Sequence, residues 1–216
     1  MRWSLAFFAP HPQRSAATPG QQFRVSRIRV GSLQRTGGMS NYEQPDYSVV
    51  TSFDGYEIRR YESYLAAETM VRGDFDSTGN TAFRRLAGFI FGRNSEQLRM
   101  SMTVPVTREQ SGPDEYRYRF VMERAYSESD LPRPIDGSVE IVRVEEGHFA
   151  AARYRGRRSE RRYRGVEREL LQALQRDGIK ATGTSVSAVY NGPLTPPALR
   201  HNEVLVPVSW EHPQQA

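Results

Sequence analysis

The chain has 216 residues and a mass of 24.7 kDa, enough to bury a core in one large domain or two small ones. It has no cysteine, which excludes disulfide frameworks, thiolate metal sites and cysteine nucleophiles, and its four histidines (His11, His148, His201 and His212) show no metal-ligand spacing. Hydrophobic residues make up 38% and charged residues 25%, the balance of a soluble globular chain; no apolar run reaches the ~18 residues that span a bilayer, so no membrane partner is expected.

Charge is unevenly placed. Residues 1–38 contain Arg2, Arg14, Arg24, Arg27, Arg29 and Arg35 and no acid, so the net +5 of the whole chain leaves −1 for residues 39–216. The basic balance belongs to this leader and gives no support to nucleic-acid binding by the remainder. An acid-free, Arg-rich segment with Trp3, Leu5, Phe7 and Phe8 near its start suits an organelle transit peptide. The preferred alternative is a non-native upstream extension with Met39 as the true start. One lysine, Lys180, against 29 arginines suits a GC-rich genome, in which reading frames easily extend upstream. The transit peptide implies organelle targeting and the Met39 start implies a cytoplasmic protein. Either way, residues 1–40 are expected outside the fold, with residues 41–216 forming one domain.

Along that domain a pattern recurs. Glu57-Ile58-Arg59-Arg60-Tyr61-Glu62 is matched by Glu140-Ile141-Val142-Arg143-Val144-Glu145. Each is followed by a second extended stretch ending in alanines, Tyr64-Leu65-Ala66-Ala67 and His148-Phe149-Ala150-Ala151. In the first half Phe83, Leu86, Ala87 and Ile90 then fall on one helical face, with Gly92 and Asn94 as stop residues. Strands are predicted over Met100–Thr107 and over Tyr116–Glu123, where Tyr116, Tyr118, Phe120 and Met122 alternate; Ser111-Gly112-Pro113-Asp114 makes the turn between them. In the second half Tyr163, Val166, Leu170, Ala173 and Leu174 mark a helix that ends at Asp177-Gly178. Strands follow over Thr184–Tyr190 and Glu203–Val208. The proline-bearing segment Ser127–Gly137 joins the halves. The expectation is an α+β fold of two ββαββ pseudo-repeats, about 47–125 and 138–210. Together they give an eight-stranded antiparallel distorted barrel with two flanking helices.

Several of these segments resemble motifs of the SOUL haem-binding family. Tyr56-Glu57-Ile58-Arg59-Arg60-Tyr61 is similar to its opening motif, and Phe83 through Asn94 to its helix ending in glycine and asparagine. Met100-Ser101-Met102-Thr103-Val104-Pro105-Val106 resembles its Met-Thr-x-Pro-Val strand, and Leu131-Pro132-Arg133-Pro134 its inter-repeat motif. Tyr190-Asn191-Gly192-Pro193 and Asn202-Glu203-Val204 resemble its C-terminal motifs. The resemblance runs in order from about Tyr47 to Val208. It implies a duplicated αβ barrel that binds haem or another tetrapyrrole in an apolar groove beside the first helix, as a carrier or buffer rather than an enzyme. Haem in that case is a cofactor the fold does not need.

A flat apolar disc with two carboxylates needs apolar walls, cations at its rim and, for ligation, a donor to iron. Some family members carry histidine, a proposed iron ligand, where this chain has Arg60; arginine has no lone pair to offer, so ligation from that position is excluded. The remaining ligand candidates are His148, weighed against an ordinary strand histidine, the thioethers Met100 and Met102, and the phenols Tyr61 and Tyr64. Wall candidates are Phe83, Leu86, Phe89, Ile90 and Phe91, against the alternative of a wide buried helix face. Arg59, Arg84, Arg85 and Arg93 are candidates for the carboxylates.

Seven arginines lie between Arg153 and Arg164, interleaved with Tyr154 and Tyr163. Such a run can grip phosphates and stack on bases, but a solvated face partnered by Glu160, Glu167 and Glu169 is the preferred reading, so a nucleic-acid partner is not expected. No P-loop, dinucleotide fingerprint, nucleophile elbow or His-Glu-x-x-His pair occurs. The rival functions are a sensing or protein-interaction module that uses the groove for another apolar ligand, and anion or nucleic-acid binding through the Arg153–Arg164 run.

Overall fold

The computed structural model describes residues 42–192 and 194–211, so the Arg-rich leader lies outside the described residues. In chain order the elements are β1 (Tyr47–Phe53), β2 (Tyr56–Tyr61), β3 (Tyr64–Arg72), α1 (Thr78–Ile90), β4 (Val106–Gly112) and β5 (Glu115–Val121). The second half adds β6 (Val139–Val144), β7 (Gly147–Tyr154), α2 (Glu160–Arg176), β8 (Lys180–Ala181), β9 (Val186–Val189) and β10 (Asn202–Ser209). All ten strands pair antiparallel in one curled half-barrel sheet of order β1-β2-β7-β10-β9-β4-β5-β3-β6, with β8 on β10. The fold is α+β with a barrel-like sheet and two helices, as expected.

The duplication is written into the strand order. Exchanging β2 with β6, β3 with β7, β4 with β9 and β5 with β10 returns the same path reversed. The pair β4–β9 maps onto itself and so lies at the junction of the two halves. β1 and β8 stand outside this symmetry and are the two strands beyond the predicted eight.

One predicted strand is displaced. Met100–Thr107 was expected to be extended and paired, but β4 starts only at Val106. Pro105 lacks the N–H that a ladder position needs, and the preceding residues instead tie α1 to the sheet. Met100 N–H donates to the Ile90 carbonyl at 2.8 Å, and the Thr103 hydroxyl donates to the Val121 carbonyl at 2.5 Å.

The two helices cover different strands. α1 buries Ala82, Leu86, Phe89 and Ile90, a stripe at helical spacing, over β3, β5 and β6. α2 is capped at its start by Ser159, whose hydroxyl accepts the Arg162 N–H, and buries the expected stripe Tyr163, Val166, Leu170, Ala173 and Leu174 over β7, β8 and β10. The central β4–β9 pair is thus left at the gap between the helices.

The turn after α1 depends on two residues named as stop signals. Gly92 has φ +105°, and a Cβ there would meet the Gln97 carbonyl oxygen at 3.3 Å. Asn94 is buried; its amide donates to the carbonyls of Phe89 at 2.9 Å and Leu98 at 2.7 Å, while its oxygen accepts the N–H groups of Glu96 and Leu98. Asn94→Ala leaves those buried groups unpaired and is expected to lower unfolding stability by about 2–3 kcal/mol, measured by denaturant titration at unchanged m-value; a loss under 0.5 kcal/mol contradicts this role.

Candidate functional site

The gap between the helices is a groove of about 490 Å³, within the ~300–1,000 Å³ usual for sites that hold a drug-sized molecule. Its floor is the central strand pair. Val106 lies opposite Val189 and Arg108 opposite Ser187, and all four line it. Strand alternation puts them on the face toward the helices. Tyr118 of β5 and Tyr154 of β7 flank the floor. Phe75, Gly79 and Phe83 form the α1 wall, and Arg158, Ser159 and Tyr163 form the α2 wall. Met102, Val104, Tyr190, Asn191 and Gly192 close the end.

The polar groups of the groove divide into occupied phenols and available cations. Tyr118 shares a 2.7 Å hydrogen bond with Thr78, Tyr163 shares one of 2.7 Å with Ser185, and Tyr190 donates to Glu203 at 2.8 Å. Burial pushes the Tyr163 phenol up to about 12, and burial together with the neighbouring Tyr61 and Glu203 holds Tyr190 well above its ordinary value. Burial also raises Tyr154. Tyr118, Tyr163 and Tyr190 thus spend their hydroxyls on protein partners. Arg108 donates to the Phe75 carbonyl at 2.5 Å and lies over the Phe75 ring, 3.1 Å from its centroid. Neither Arg108 nor Arg158 forms a salt bridge among the described residues. Arg158 is held below the ordinary arginine value by desolvation, then by repulsion from Arg200 and Arg108. Positive charge from Arg108 and Arg158 thus lines the groove, and an anion bound there relieves their repulsion.

Of the residues singled out in the sequence, Phe83 and Met102 line this groove. Phe83 is 45% exposed and meets Phe120 edge-on at 5.4 Å. The other helix candidates lie elsewhere. Leu86, Phe89 and Ile90 are fully buried in the main core, because the stripe that faces the sheet runs through Ala82 and leaves Phe83 at its margin. Phe91 and Arg84 are exposed and outside the lining. Arg85 donates to the Met70 carbonyl at 2.9 Å, and Arg93 is exposed beyond the helix. His148 lies opposite Arg60 across the β2–β7 ladder, six residues before Tyr154. It is not among the residues that line the groove. Arg60 itself pairs with Glu62 and Glu146.

Arg59 and Tyr61 point to the other face of β2, into a buried polar cluster. Arg59 is 2% and Glu203 1% exposed, and they meet through two bonds, Nη1 to Oε2 at 2.8 Å and Nη2 to Oε1 at 3.1 Å. Arg59 also reaches Glu57 and the Tyr61 hydroxyl. Its guanidinium is consumed by protein groups, which removes it from carboxylate recognition. Burial alone would raise Glu203, but the hydrogen bond from His201 and the charge and hydrogen bonds of Arg59 outweigh it and hold the carboxyl well below the usual range. His201 stacks on Tyr190 at 4.2 Å. The cluster thus fixes Tyr190, a groove residue, from behind. Sequence reading missed Arg108, Tyr118, Tyr154 and Arg158 as groove residues. The alternation of β5 and the arginine run marked three of the four but gave no sign that the halves bring them together.

The chain belongs to the SOUL heme-binding protein family, whose profile matches residues 42–207. It is 30% identical over 120 residues to heme-binding protein 2 of Mus musculus, covering 53% of this chain and 58% of that protein. Against heme-binding protein 2 of Homo sapiens it is 35% identical over 92 residues, covering 40% and 45%. The matches thus span about half the length of these curated relatives. Among solved structures, the fold is shared with the C-terminal domain of EcmrR, with TM-score 0.57, 11% identity and coverage of 76% of this chain and 98% of that one. It is also shared with a protein described as a hydrolase from Listeria innocua, with TM-score 0.55, 17% identity and coverage of 71% and 91%.

The Arg59–Glu203 pair carries a pH signature. Because the folded carboxyl is depressed, the pair's stabilisation is present above the ordinary glutamate value of about 4 and is lost as pH falls toward the folded value. Glu203→Gln leaves a buried guanidinium uncompensated, which is expected to cost about 3–5 kcal/mol at pH 7 and to flatten the decline of stability below pH ~4. Denaturation midpoints measured from pH 7 to pH 3 check both; parallel curves for the two proteins contradict the assignment.

Proposed function

We propose that this SOUL-family chain holds haem or a related tetrapyrrole, without catalysis, in the groove over β4–β9, as a carrier or buffer. The observation that carries the reading is a groove walled by Phe75, Phe83, Tyr118, Tyr154 and Tyr163 whose two cations, Arg108 and Arg158, have no carboxylate partner. Aromatic faces suit a planar guest, and guanidinium forks suit its two carboxylates. The family and the relatives' names support haem as the ligand class.

Among the described residues no histidine lines the groove, the Tyr118, Tyr163 and Tyr190 hydroxyls are taken by protein partners, and Met102 is the one thioether in the lining. Affinity here rests on burial and carboxylate pairing rather than on the metal. Among the described residues Asp76 is the only carboxylate in the lining, and it accepts the Glu160 N–H at 3.3 Å. A second reading, sensing of another apolar anion by the same groove, draws on the same two arginines.

Hemin titration followed at the Soret band tests the proposal. Saturable 1:1 binding is expected, with metal-free protoporphyrin IX binding within about threefold because no ligand bond is lost, and His148→Ala leaving the spectrum unchanged. Arg108→Leu is expected to weaken hemin binding by at least about tenfold, the range of a charge-assisted hydrogen bond, while leaving the dimethyl ester unaffected. Equal affinity of Arg108→Leu and the parent chain for hemin contradicts the site. Selective saturation by an apolar acid that is not a tetrapyrrole supports the second reading.

A further inference from the structure

The arginine run is only partly explained by its acidic neighbours. Arg164 pairs with Glu160 and Glu167, and Arg153 reaches Glu203 at 3.5 Å. Arg155, Arg157, Arg161 and Arg162 are exposed and form no salt bridge among the described residues. Beside them lies the β9–β10 loop. Asn202, the first residue after it, pairs with Tyr154 and donates its amide to the Gly156 carbonyl at 3.3 Å, which sets the loop against the start of the run. From Tyr190 to Leu199 the chain has no charged side chain, and Leu194 and Leu199 are 96% and 69% exposed. Both segments border the groove, since Arg158 and Gly192 line it.

We propose that this rim docks on the surface of an anionic lipid bilayer, with Leu194 and Leu199 entering between headgroups and Arg155, Arg157, Arg161 and Arg162 lying over their phosphates. The chain would lie on the membrane without crossing it, in keeping with the lack of a spanning helix among the described residues. Complementary charge and exposed aliphatic side chains on one edge are what such a surface recognises. They fit single-stranded RNA poorly, because the aromatic rings of the run, Tyr154 and Tyr163, are buried toward the groove and give bases no exposed face to stack on. The proposal concerns the rim and stands whatever the groove holds. It also turns the groove mouth toward the phase in which a poorly soluble guest is concentrated.

The test is flotation of the full-length protein with vesicles of phosphatidylcholine alone or containing roughly one-third phosphatidylserine. Binding to the acidic vesicles is expected. Arg155→Ser with Arg157→Ser should weaken it about 30-fold, each arginine near an anionic surface contributing about fivefold. Leu194→Ser with Leu199→Ser should weaken it at least about tenfold. The Arg-rich residues 1–38 are common to every variant, so any difference belongs to the rim. The absence of cysteine allows Leu199→Cys to be labelled uniquely with an environment-sensitive fluorophore, whose emission should shift to the blue on acidic vesicles only. Unchanged partitioning of both double variants, an unshifted label, or displacement from vesicles by single-stranded RNA overturns the proposal.

Discussion

The surface that two helices cannot cover decides what this molecule can do. A duplicated ββαββ chain has one helix per half, and each helix offers one apolar stripe, Ala82-Leu86-Phe89-Ile90 in α1 and Tyr163-Val166-Leu170-Leu174 in α2. The α1 stripe is spent on β3, β5 and β6 and the α2 stripe on β7, β8 and β10. The strands that pair across the pseudo-symmetry, β4 and β9, are left bare at the centre. A floor that presents Val106 and Val189 between aromatic walls cannot be solvated cheaply, and the chain supplies no further element to fill it among the described residues. The groove is therefore a consequence of the duplication and not an addition to it.

The opposite face of the sheet solves a different problem. There β2 and β10 bury Arg59 and Glu203, satisfied by Glu57, Tyr61, Tyr190 and His201. Such a network adds little net stability over an apolar core but is costly to break. Its geometric effect is on Tyr190, whose hydroxyl is held by Glu203 and whose ring is held by His201 while its outer side borders the groove. That end of the groove is thereby held rigid, and Arg108 and Arg158 line the same groove without a salt bridge among the described residues.

Much of the fold was legible in the sequence because it rests on local signals. The stripe of α2 was read residue for residue, and the alternation of Tyr116, Tyr118, Phe120 and Met122 correctly marked a buried strand face. The signals failed where partners are distant. The displaced start of β4 followed from Pro105, whose missing N–H has meaning only beside a ladder partner that a linear reading does not show. Phe83 was placed with Leu86 and Ile90 on one face, although the true stripe is rotated toward Ala82 and Phe89. Arg59 looked available because its partner, Glu203, is 144 positions away. Arg158 looked like part of a solvated face and Arg108 carried no signal, because only the meeting of the halves brings them to one groove.

The central claim, that a planar guest lies on the β4–β9 floor, is tested most directly by ring-current shifts. With methyl-labelled protein, added protoporphyrin is predicted to move the methyl resonances of Val106 and Val189 strongly upfield and to leave Ile58 and Leu65, buried in the main core, in place. Shifts confined to Leu205 and Val186, in the core cluster outside the groove lining, or no methyl shift at saturating porphyrin, would contradict the account.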